Sequence, residues 1–252
     1  MAKKGDVLPL NVENAIRDAD QIMLEIDPQD FKEIGQLFGN LICKDACLSK
    51  EISPALINDL NNKYSININN MPPSLAYIVL TAQSIINAGF VQETGTEISI
   101  TKLATKLAKP IVGLEKPAEQ ISLISNMPLD IIKDELRLLA YEPDTIKLQL
   151  ETLYKYWKEG DTEGLYEFMH DQERLEMSYL EPDGLEHYQN FLYQLIEGRN
   201  KLLFERALGK ISQNTNKLVH VIAVGALHLG GDEGLIALFK QEGFKIEKLK
   251  TQ

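Results

Sequence analysis

The segment Val219–Gly234, VHVIAVGALHLGGDEG, constrains the fold more than any other stretch of this 252-residue chain. Its β-branched run Val219–Val224 reads as a central strand buried on both faces, and the glycines after it permit a tight turn. A strand, a glycine turn and a helix in succession belong to an open α/β sheet, which places its chemistry at the carboxyl ends of its strands. Gly225 and His228 occupy that place here. We expect Asp232 to cap a helix over Glu233–Glu242, and a short strand over Phe244–Leu249 to follow. His228 then either faces the crevice or is a loop histidine tied down by backbone hydrogen bonds.

The remaining periodicities fit such a sheet. Leu10–Ala19 reads as a helix with Asn11 as its cap, Gln21–Ile26 as a strand, and Pro28 as the opening of the next helix. Helices are expected over Phe31–Phe38, Ser53–Asn62, Ser74–Ala88 and Ile98–Leu107, with a loop at Asn61–Pro73 and a buried strand at Pro110–Leu114. From Pro117 to Gln213 the apolar residues recur at three and four, with breaks at Pro128, Pro143, Gly160 and Pro182. The expected fold is α/β in one domain, residues 1–252. A central sheet comes from both chain ends, and a helical insertion, residues 117–213, covers the crevice at the strand carboxyl ends.

A net charge of −11 argues against nucleic acid as a partner, because a polyanion needs a basic stripe. No apolar run approaches the ~20 residues that span a bilayer. Met1–Val7 shows no apolar stretch after its lysines, so no secretory signal is legible there. Cys43 and Cys47 are the only cysteines. On a helix they would share a face, and a disulfide at that spacing is uncommon, so thiols are expected and the compartment stays open. HExxH, paired CxxC, P-loop and GxSxG motifs are absent, which disfavours zincin, nucleotide-binding and serine-triad chemistry.

Charged residues at strand ends are the candidates for chemistry. Glu25 closes an apolar run, where a carboxylate is edge-exposed, paired or functional. Asp27 is explained as a cap before Pro28. Glu115 ends IVGLE in the same way and is either a helix-start charge or a second site carboxylate. If the three strands are parallel neighbours, Glu25, Glu115 and His228 face one crevice. Arg199 and Asn200 share a helix with Glu197 and Glu205, so Arg199 makes a surface ion pair or reaches the crevice. His170, His187 and His220 are weaker candidates.

Gly225-Ala226-Leu227-His228, followed by Leu229-Gly230-Gly231-Asp232-Glu233-Gly234-Leu235, resembles the second GxxH motif of the TraB/PrgY/GumN family, which includes the TIKI proteases. Leu8-Pro9-Leu10 leading into Ala15–Ile26, Pro110–Gln120 and Ile196–Leu202 are similar to further family segments in the same order. The resemblance implies a metal-dependent hydrolase that cleaves peptide bonds, acting on a peptide or small polar substrate. It implies a divalent transition metal (Mn, Co or Zn) held by His228 and Glu25. Glu25 or Glu115 would serve as ligand or general base, and Arg199 would stabilise the tetrahedral intermediate. Gln120, Asn200 and Gly225 would contact substrate, and Glu97 matches a further acidic position more loosely.

One departure is large. The family's first GxxH, on a strand before the Leu-Pro segment, has no counterpart after Met1. We therefore expect the native protein to extend further at its amino end, and the site of the given chain to be incomplete. Export would follow if that extension carries a signal. The rivals are a peptide- or pheromone-binding regulator without chemistry, and a relic that lost its first motif.

Overall fold

The computed structural model describes residues 2–91, 95–178, 182–213 and 218–249. In chain order, α1 (Leu10–Asp18) leads to β1 (Gln21–Ile26), α2 (Phe31–Leu41), α3 (Pro54–Tyr64), α4 (Pro73–Asn87) and α5 (Thr96–Lys106). β2 (Ile111–Glu115) precedes α6 (Pro117–Ser125), α7 (Leu129–Tyr141), α8 (Pro143–Glu159), α9 (Thr162–Met177), α10 (Pro182–Leu195) and α11 (Glu197–Ser212). β3 (His220–Ala223), a single 3-10 turn at Ala226–His228 and α12 (Leu235–Gln241) complete the order.

The three strands form a parallel sheet in the order β2-β1-β3. β1 is central, and Ile22, Met23 and Leu24 are fully buried. Ile22 and Leu24 pack on one face against Ile16 of α1 and Ile100 and Ala104 of α5. Met23 packs on the other face with Leu114, with Leu203 and Ala207 of α11, and with Leu235 of α12. Burial on both faces explains the unbroken apolar run, and each such side chain contributes about 1.5–3 kcal/mol. The register pairs Ile26 with Glu115 and Leu24 with Ala223, so the three carboxyl ends finish at one edge. The helices between β2 and β3, with α3 and α4, build a second core around Leu60, Leu80 and Leu136, and α10 joins it through Tyr188 and Phe191. The architecture is mixed α/β, with a small parallel sheet and many helices around it.

Several sequence expectations are corrected. The strand that leads to His228 is an outer strand, not the central one; β1 takes hydrogen bonds on both sides, and all four β3 residues are only half-buried. The last helix starts at Leu235 behind Gly234, not at an Asp232 cap, because the chain is still turning there: Gly234 N–H donates to Gly231 C=O at 3.1 Å. Residues 244–249 form no strand, and their apolar side chains Phe244, Ile246 and Leu249 are exposed. Asn11 sits inside the first turn of α1, where Pro9 C=O already accepts from Val12 and Glu13. A break between α10 and α11 at Ile196, unmarked by proline, also escaped the sequence reading.

Cys43 and Cys47 form a disulfide, against the expectation of thiols. The segment is not helical: α2 ends at Leu41, and the irregular chain beyond it brings the two Cα atoms to 6.1 Å. Among the described residues no helix is long and apolar enough to cross a membrane.

Candidate active site

Parallel pairing ends β1 and β2 at one edge, with Glu115 opposite Ile26 and Glu25 one residue before it. Two carboxylates that close repel unless a cation lies between them. Arg199, reaching in from α11, is that cation. Its Nε donates to Glu115 Oε1 at 3.0 Å, and its Nη2 donates to Glu115 Oε2 and Glu25 Oε2, both at 2.7 Å. Gln120, on the first turn of α6, bridges the same pair, with Nε2 at 3.1 Å from Glu25 Oε2 and 2.9 Å from Glu115 Oε2. The backbone N–H of Gly225 donates to Glu25 Oε1 at 2.5 Å. All four carboxylate oxygens are thereby engaged.

The Glu115 side chain is 1% exposed and that of Arg199 12%. Burial pushes the Glu115 carboxyl up, but hydrogen bonds from Arg199 and Gln120, with the charge of Arg199, hold it below the ordinary range. Burial likewise opposes the charge of Arg199, and Glu115 and Glu25 outweigh it and raise its basicity. Glu97, at the start of α5, is pushed up by burial and then by the charge of Glu25.

His228 enters from the 3-10 turn that follows β3, and it is buried. Its Nδ1 lies 2.7 Å from Oδ1 of Asn200, the neighbour of Arg199 on α11 and itself 1% exposed. The Nδ2 of Asn200 donates to Glu233 C=O at 3.0 Å. That bond fixes which end of the amide faces the imidazole. An acceptor there requires the proton on Nδ1, so Nε2 carries the free lone pair. Burial lowers the basicity of His228, opposed by Glu25 and Glu115 and assisted by Arg199, which leaves the ring neutral near pH 7. A basic nitrogen in one tautomer beside an arginine-clamped carboxylate pair can accept a proton, donate it back or ligate a cation.

Neighbours come close to the glycines of the motif, most tightly at Gly230 and Gly234, where a Cβ would meet backbone oxygens at 2.5 Å and 2.2 Å. A Cβ on Gly225 would lie 3.2 Å from Glu25 Oε1 and 3.6 Å from His228 Cδ2. Gly231 has φ +77°, and a Cβ there would collide with the Tyr166 ring at 2.5 Å. Tyr166 belongs to α9, and Glu163 one turn earlier accepts from Gly231 N–H at 3.1 Å.

The structure thus gathers Glu25, Glu115, Gln120, Arg199, Asn200, Gly225 and His228 into one network. Arg199 reaches the crevice rather than pairing with Glu197 or Glu205. Gln120 and Asn200 spend their side chains on the site's own residues. Asp27 caps the turn after β1 through Gln29 N–H at 2.9 Å, and Glu119 binds Lys116 N–H and Arg206, so both have local roles. Glu163 and Tyr166 escaped sequence reading, because their contact with the glycine turn spans more than sixty residues and no local pattern marks it.

The TraB/PrgY/gumN family model matches residues 2–248. No curated protein and no solved structure matches the chain. The match runs through all three strands and every residue of the network, and the chain belongs to the TraB/PrgY/gumN family.

Proposed function

We propose that the crevice is a hydrolytic centre for a peptide-type amide bond, with Nε2 of His228 as the base. The observation that supports this most is the Asn200–His228 hydrogen bond, which leaves Nε2 of His228 unprotonated. His228 takes a proton from water as the oxygen attacks the carbonyl carbon, then returns it to the leaving amine as the C–N bond breaks. The negative charge of Glu25 stabilises the imidazolium in between, a direction already visible in its upward pull on His228. Arg199 holds both carboxylates in place and contributes positive potential toward the developing oxyanion.

A resident metal was expected at His228 and Glu25. The donor set does not complete such a centre: the oxygens of Glu115 and Glu25 already accept from Arg199, Gln120 and Gly225, and among the described residues no group of three or more His, Cys, Asp or Glu could hold an ion. No step is therefore routed through a metal, and metal-dependent hydrolysis is retained as a separate arm of the test. The engagement of all four carboxylate oxygens within the protein favours a second reading, in which the crevice binds a peptide without cleaving it.

The test is mass-spectrometric detection of cleavage in a defined peptide mixture, with and without chelator, and with added Mn, Co or Zn. Cleavage that falls at least 100-fold in His228→Ala supports the hydrolase, and its response to chelator decides the metal. Cleavage unchanged by His228→Ala overturns it, and tight peptide binding that survives both treatments supports capture.

A further inference from the structure

A cavity of about 280 Å³ lies within the helical layer, between α4, α7, α8, α9 and α10. Its walls are mostly Leu, Ile, Met and Phe side chains, and Leu227, the residue before His228, is one of them. That volume is near the lower bound of ligand pockets, about 300 Å³. Three carboxyls, Glu135, Glu173 and Glu176, also line it, and the described lining contains no lysine or arginine. Empty cavities in proteins are apolar, and a carboxylate facing an apolar void loses hydration that only a cation fully replaces.

The neighbours of these carboxyls leave their charge unbalanced. Glu135 faces Tyr77 and Glu176, with Asp134 adjacent, and burial and those charges push it up to about 7. Glu173 pairs with His170 Nδ1 at 2.6 Å and faces Glu197 and Glu176, with Arg174 adjacent, and it too is pushed up to about 7. Burial lowers the basicity of His170 itself, so it supplies little positive charge. Glu176 accepts from Tyr188 and is raised by burial.

From the apolar walls and three carboxyls with no lysine or arginine in the lining beside them, we propose that this cavity binds an apolar chain ending in a protonated primary amine, the chain against Leu and Ile side chains and the ammonium among Glu135, Glu173 and Glu176. The site is distinct from the His228 crevice, and its occupation does not depend on hydrolysis. A bound ammonium restores the ionised form of carboxyls that are partly protonated at neutral pH, so binding releases protons.

The test is calorimetric titration of the full chain with octylamine, 1-octanol and octanoate at pH 7, in buffers of different ionisation enthalpy. Octylamine should bind at least tenfold more tightly than 1-octanol or octanoate and release protons. In Glu135→Gln/Glu173→Gln the preference for amine over alcohol and the proton release should both vanish, while octanol affinity stays within twofold, which shows the cavity intact. No octylamine binding, an affinity no better than that of octanol, or a preference unchanged in the double variant would each overturn the proposal. Loss of octylamine binding in His228→Ala with an unchanged fold would place the amine in the crevice and overturn it as well.

Discussion

Arg199 carries more of the site than any other residue, because three of its hydrogen bonds end on two carboxylates that would otherwise repel. Removing one partner of a buried charge cluster costs about 3–5 kcal/mol, since the charges left behind stay desolvated. Arg199→Met should lose that much in urea denaturation. The sign of its pH dependence follows from Glu115. In the native protein Glu115 lies below its ordinary range, so its contribution is present above that range and lost as the pH falls through the folded value. Without the guanidinium, burial dominates and Glu115 rises, so the deficit of Arg199→Met should be larger at pH 8 than at pH 5. A loss under 1 kcal/mol, or equal loss at both values, would contradict the clamp. Glu25, Glu115 and His228 were legible in the sequence from their places at strand ends. The pairing of Asn200 with His228 was not, because it needs α11 to cross the sheet at one particular height.

At the scale of elements, the glycine turn between β3 and α12 is held by α9. Its backbone reaches φ +77° at Gly231, where the Tyr166 ring leaves no room for a side chain. Gly231→Ala should destabilise the protein by about 1–3 kcal/mol through left-handed strain and overpacking. Tyr166→Ala in the same chain should recover the part due to collision and leave the part due to strain, as a double-mutant cycle of thermal midpoints can resolve. Additive effects would mean that ring and turn are uncoupled. Most element positions were legible because helix and strand periods are local properties, as in Gln21–Ile26 and the proline breaks of the helical half. The errors fell where a local pattern needed a distant partner. Residues 244–249 carry a strand-like alternation, yet among the described residues no strand pairs with them. Cys43 and Cys47 looked helical in spacing, but α2 ends at Leu41 and the loop beyond closes the disulfide.

For the whole molecule, the carboxyls of the helical cavity set a pH dependence opposite to that of Glu115. Glu135 and Glu173 keep a proton in the folded chain that the unfolded chain gives up above its ordinary carboxyl range. Their stabilising share is thus present at low pH and lost as the pH rises toward about 7. Buried His170 and His228, lowered from their ordinary value, act in reverse and destabilise on the acid side of the imidazole range. The thermal midpoint should therefore fall between pH 6.5 and 8 in the native chain, and fall much less in Glu135→Gln/Glu173→Gln. Parallel curves for the two proteins would remove the cavity carboxyls from the account.

The sequence alone determined that strand ends would carry Glu25, Glu115 and His228, because apolar runs, glycines and prolines act through the backbone of their own neighbourhood. Its similarity to one family pointed to the same residues. Only the tertiary structure decided that Arg199 joins Glu115 across 84 residues and Glu25 across 174, and that distant helices enclose an acidic cavity. Those outcomes depend on how far each helix travels before it turns and which face it buries. They are fixed by packing against the sheet and among the helices, and no window of the chain contains that information.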